Sequence, residues 1–173
     1  MSFSMSKASI PALEIGLNAL SGVLDKAQAF ATAKKVDPSV LLGSRLYPDM
    51  FALARQVQVA SDLAKNGAAR LAGAEPPKFE DNETSLDQLK ERIAKTVAYL
   101  KTLDSKAIDA TADREVTFPL GPNKGLMKGG DYLNHFVLPN FYFHLTAAYA
   151  IVRHCGVELG KRDFLGAIPI KRL

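Results

Sequence analysis

Apolar residues recur at three- and four-residue steps in four separate stretches of this chain, and that period is the signature of amphipathic helix. The first stretch, Ser6 to Lys34, places Ile10, Leu13, Leu17, Leu20 and Leu24 on one stripe, with Glu14, Asn18, Asp25 and Lys26 off it. Val36-Asp37-Pro38 ends it. The second, Pro48 to Leu71, carries Met50, Leu53, Val57, Ala60, Ala64 and Ala68, and its alanines let a neighbouring helix approach closely. Pro48 suits the first position of a helix, where a missing N–H has no partner to lose. The third runs from about Ser85 to Leu103 with Leu86, Leu89, Ile93, Val97 and Leu100 inward, and Thr84 with Asp87 reads as its cap. The fourth spans Gly130 to Gly156, with Asp131 as N-cap and Gly156 as the terminating glycine.

The intervals have a different grammar. GAEPPKFEDNE is a loop marked by tandem Pro76-Pro77. REVTFPL alternates, GPNKG is a turn cluster and GLMKGG returns, so a short hairpin is expected before the fourth helix. The tail after Gly156 has no period and is expected to pack as an extended segment. Together these features predict an all-α chain: a four-helix bundle with a short β-hairpin between the third and fourth helices, one domain over residues 1–173.

Charge narrows the partners. The net charge of +4 is dispersed in small clusters rather than a basic stripe interleaved with aromatics, so no nucleic-acid partner is expected. No apolar run approaches ~18 residues, so no membrane span is expected. The N-terminus lacks the pattern of a signal peptide. One cysteine, Cys155, excludes an intramolecular disulfide and fits a reducing compartment. Cytoplasmic location is the expectation.

The fourth helix holds all three histidines and is the most aromatic part of the chain. Asn140 and His144 lie one turn apart on its inner stripe, so they can share one ligand or metal ion. Alternatively, His144 is a core histidine bonded to Asn140 or to a residue of the second helix. Asp49, in the expected first turn of the second helix, either favours the helix dipole or faces His144 and supplies a carboxylate. Asp49, Asn140 and His144 would then make a weak divalent-metal set, with zinc, nickel or iron as candidates. Gln56 lies on nearly the same side as Asp49, and Gln56 and Tyr142 are expected to line the ligand pocket. His135 is turned half a revolution from His144, and Pro139 disturbs the phase further. His154 suits the dipole at the helix end. Phe136, Phe141, Tyr142, Phe143 and Tyr149 surround this helix, which reads equally as core packing or as the contact of a homodimer.

YPDMFALARQVQVASDLAK, LPNFYFHLTAAYAIVRHCGVELGKRDFLG and the hairpin between the third and fourth helices resemble a domain-of-unknown-function branch of the DinB/YfiT-like superfamily of metalloenzymes. The resemblance implies a DinB-like bundle, commonly dimeric. It also implies a metal site built from a histidine of helix two and an H-x-x-x-H pair of the last helix, and activities that include thiol-dependent transfer. Carried over, His144 matches one histidine of that pair and Asn140 stands at the other. The second helix has no histidine, and Asp49 is its nearest polar substitute. Two functions follow as expectations: a small-molecule-binding or metal-dependent enzyme of this type, or a non-catalytic dimeric binding protein in which Asn140 and His144 form a buried pair.

Overall fold

The computed structural model describes residues 4–171. Four long helices make the bundle: α1 (Met5–Lys34), α3 (Leu53–Ala72), α4 (Leu86–Leu100) and α7 (Leu138–His154). Shorter pieces connect them: α2 (Pro38–Gly43), α5 (Ser105–Asp109), the antiparallel hairpin β1 (Glu115–Leu120) and β2 (Asn123–Lys128), and α6 (Gly129–Asp131). A last short helix, α8 (Lys161–Leu165), lies in the tail that was expected to be extended. It docks on α1 through Lys26 and Asp163, 2.7 Å apart.

The helical periods place the core as read. Leu13, Leu17, Leu24, Leu53, Val57, Leu86 and Leu89 are fully buried, and so are the alanines Ala60, Ala64 and Ala68 of α3. Two glycines allow close approaches within the bundle. A Cβ on Gly67 of α3 would lie 2.7 Å from Val137, and one on Gly16 of α1 would lie 2.7 Å from the Phe141 ring of α7.

Two helix starts differ from the sequence reading. α3 begins at Leu53 rather than Pro48. The N1 role given to Pro48 belongs instead to Pro38, which opens α2 behind Asp37, whose carboxylate accepts from Ser39 N at 2.8 Å. Pro48 and Asp49 therefore sit in an exposed connector. At α4 the cap is Ser85, not Thr84: Ser85 Oγ accepts from Gln88 N at 3.1 Å, and Gln88 Oε1 accepts from Thr84 N at 2.6 Å.

Ahead of α7 the chain forms a π-helical turn, Tyr132–Val137. The cause is Pro139, which has no N–H and crowds the carbonyl one turn back. A widened turn accommodates it. Asn140 Nδ2 donates to the Phe136 carbonyl at 2.7 Å, supplying a donor inside this irregular stretch.

Contacts along the helices fix their directions. Lys90 pairs with Asp25 at 2.6 Å and Asp109 accepts from Ser6 N at 2.7 Å, so α1 and α4 run antiparallel. His144 meets Gln56, and Arg70 meets Tyr132, so α3 and α7 are also antiparallel. α3 and α4 are parallel: Asp62 pairs with Arg92 at 2.9 Å, and near their C-terminal ends Tyr99 OH donates to the Glu75 carbonyl at 3.2 Å. The order is up–down–down–up.

A parallel pair cannot be joined by a tight turn. The segment Ala74–Ser85 returns along the groove between α3 and α4 as a strap. Glu75 to Thr84 makes no backbone–backbone hydrogen bond among the described residues. Side chains from the helices hold it instead. Lys65 Nζ donates to the Pro77 carbonyl, Arg92 Nη1 to the Glu80 carbonyl at 3.0 Å, and Gln58 Nε2 to Glu83 at 2.9 Å. Arg92, 2% exposed, also pairs with Asp62, Asp81 and Glu83 at 2.9–3.0 Å.

Candidate functional site

His144 is the one histidine turned inward among the described residues; His135 and His154 are exposed. Its Nδ1 lies 2.7 Å from Gln56 Oε1. Gln56 is itself buried, and its Nε2 donates to the Phe51 carbonyl at 3.1 Å. That donation fixes the amide orientation, so the oxygen faces the ring and His144 Nδ1–H donates to it. Nε2 is then the bare acceptor. Among the described residues it has no hydrogen-bond partner, and it is not among the sealed unpartnered atoms, which are Ser61 Oγ and Arg92 Nε.

Aromatic rings and one cation frame the imidazole. Phe51 stacks on it at 6.3 Å between centroids, and Phe143 meets it edge-on at 5.1 Å. Arg55 lies over the Phe51 ring, 5.9 Å from its centroid. Burial, assisted by the Arg55 charge, holds the imidazole below the usual histidine range. The resting group is therefore a neutral histidine of fixed tautomer.

An apolar groove of ≈ 440 Å³ lies between the connector and the outer face of α7, with Phe143, not His144 itself, in its wall. Leu46, Met50, Tyr142, Phe143 and Ala147 line it. Phe143 belongs to both features, as groove wall and as neighbour of the His144 ring. The same face leaves Tyr47 65%, Phe143 58% and Phe51 50% exposed.

The structure brings Gln56 to His144 and places Tyr142 in the groove. It does not bring Asp49 or Asn140 to the imidazole. Asp49 is exposed in the connector, and among the described residues His144 has no carboxylate in ion-pair reach. Asn140 is half-buried and donates its amide to its own helix. Of the two partners expected for a core His144, the residue of the second helix, Gln56, makes the bond and Asn140 does not. Among the described residues no three His, Cys, Asp or Glu side chains are grouped to hold a metal ion. With Nδ1 committed to Gln56, one imidazole nitrogen remains. That donor set does not fit the three-ligand divalent site the resemblance implied.

Phe51, Arg55 and Phe143 were missed as site residues. Phe51 lies in the stretch that the Pro48 start assigns to the helix, Arg55 carries no signal in the spacing, and Phe143 reads in sequence as packing or dimer surface.

The pKa directions predict an acid limit to stability. His144 binds its proton more weakly folded than unfolded, so stability is complete above the unfolded histidine value of about 6.5 and falls as pH drops through the folded value. Glu83 behaves alike at lower pH. Burial alone would raise its carboxyl, but hydrogen bonds from Arg92 and Gln58 outweigh this and hold it below the usual carboxylate range. Urea midpoints are expected to be level at neutral pH, decline below about pH 6.5 and decline again below about 4.3. In His144→Gln the first decline should vanish; its survival would assign it to another group.

Two comparisons place this geometry. The family model described as Domain of unknown function (DUF1993) matches residues 5–165. The crystal structure of a DinB family member protein from Shewanella denitrificans is similar at TM-score 0.90 and 42% identity, covering 97% of this chain and 95% of that one. Among curated proteins there is no match.

Proposed function

The chain belongs to the DUF1993 family, with a DinB-like helical bundle, and we propose that it binds a small, mainly apolar molecule carrying one hydrogen-bond donor. The molecule sits in the groove between the connector and α7 and donates to His144 Nε2. The observation that supports this reading is the Gln56 relay. A glutamine anchored to a backbone carbonyl holds one tautomer, so the free nitrogen is presented as an acceptor beside an apolar surface. Among the described residues no carboxylate, thiol or second imidazole is paired with His144 to share proton transfer, and Arg55 stays charged, so binding is favoured over acid–base catalysis.

Phenol and anisole make the test, because they share shape and differ in the donor. Binding is followed by protein-observed NMR on the full chain. Phenol should perturb Phe51, Phe143 and His144, and His144→Ala should weaken it roughly 5- to 10-fold, the value of one hydrogen bond of about 1–1.4 kcal/mol. Anisole should be insensitive to the substitution. Equal losses for both probes would remove His144 from the acceptor role.

The homodimer reading uses the same face. A second copy covering Tyr47, Phe51 and Phe143 would roof the groove and leave the ligand between subunits. Phenol affinity would then rise with protein concentration in the same titration. Constant affinity separates the binding site from self-association.

A further inference from the structure

The groove between α3 and α4 is polar, although both helices are otherwise packed on an apolar core. Beneath the strap lie Gln58, Lys65 and Arg92, each under 7% exposed. Phe79 covers the two cations, 4.6 Å from Lys65 Nζ and 5.5 Å from the Arg92 guanidinium. Burial lowers the Lys65 amine from its usual range despite the neighbouring Asp62. The closed state leaves Arg92 Nε sealed without a partner. A cavity of ≈ 360 Å³ opens beside Arg92, between the strap and α4. The strap is thus held over ionic and polar groups, with no backbone ladder of its own.

Arg55 connects this region to the His144 site. Its guanidinium pairs with Asp81 of the strap, donates to Gln58 Oε1 at 3.3 Å and lies over the Phe51 ring that stacks on His144. Asp81 also pairs with Arg92 at 3.0 Å, so one carboxylate ties the strap to both cations.

We propose that Ala74–Ser85 is a releasable lid over a polar groove, and that Arg55 passes its open or closed state to Phe51 and the His144 site. The lid opens without unfolding the bundle, because its fastenings are side-chain ion pairs and single carbonyl bonds rather than core packing. When it opens, Arg55 loses Asp81 and no longer holds Phe51 in place. The regulatory meaning rests on the binding reading above; the contacts themselves need no ligand.

Limited proteolysis by trypsin on the ligand-free full chain tests this. Asp81→Asn should speed cleavage after Lys78 of the strap about tenfold, and after Arg45 of the connector residues 44–52 about threefold, with cleavage after Lys26 of α1 unchanged. In an Arg55→Met background, Asp81→Asn should still loosen the strap through Arg92 but no longer change residues 44–52. Raising salt on the unmodified chain should favour the open lid, since the exposed Asp81 pairs are screened. Joint acceleration of the strap and α1 would mean global unfolding and overturn the lid. A loosened strap with an unaffected connector, or a connector response that survives Arg55→Met, overturns the link. Because no ligand is present, none of these outcomes depends on phenol binding, and loss of the phenol result leaves them standing.

Discussion

Arg92→Ala is expected to lower folding stability by about 3 kcal/mol, within the range for breaking a buried ion pair by removing one partner. The argument is one of stranding. Arg92 serves Asp62, Asp81 and Glu83 together with the Glu80 carbonyl. Asp62 and Asp81 keep 31% and 39% side-chain exposure and can turn to water, whereas Glu83 keeps 10%. The cost therefore concentrates on Glu83. Thermal unfolding should fall by roughly 6–12 °C for a chain of this size. The double variant Arg92→Ala, Glu83→Gln should recover part of that loss, since no charge is then stranded. If the double variant is worse than the sum of its parts, stranding is the wrong explanation.

Phe141→Ala should cost about 3–5 kcal/mol, because the ring is fully buried and the helices around it cannot collapse into the space. Its partner is an absence. The ring enters the room that Gly16 leaves, and a Cβ there would lie 2.7 and 2.9 Å from two ring carbons. Gly16→Ala alone should cost about 1–3 kcal/mol by overpacking. Combined with Phe141→Leu, the alanine should cost less than it does alone. Urea titrations of the four forms give the coupling directly, and additivity would show that Gly16 does not accommodate the ring.

The helices and the hairpin were legible because burial is periodic: Leu13, Leu17 and Leu24, or Ala60, Ala64 and Ala68, announce a face by spacing alone. The site was legible only in part. His144 and Gln56 each stood out on an inward stripe, but their mutual contact depends on α3 and α7 running antiparallel in one register, which neither segment states. The start of α3 was misplaced because Pro48 satisfies the same N1 rule as Pro38, and local rules cannot choose between two valid candidates. That error carried Asp49 into the expected site and concealed Phe51. The Arg92 cluster was hidden for another reason. Its partners lie up to thirty residues away in sequence, and a lone arginine beside an apolar stripe looks like a solvated one until the strap covers it.

The strap also decides which bundle this chain can build. α3 is 20 residues long, so its axis covers ~30 Å. The residues numbered 73–85 must retrace that distance before α4 can start beside the beginning of α3, and fully extended they reach roughly 43 Å. The slack is about four residues. A connection shortened by more than that leaves α4 only the antiparallel course. Arg92 would then point along the wrong side of Asp62, and α1 would lose its Asp25 contact with Lys90. The length of this segment, more than any contact it makes, selects one arrangement of four helices over its mirror-ordered alternatives.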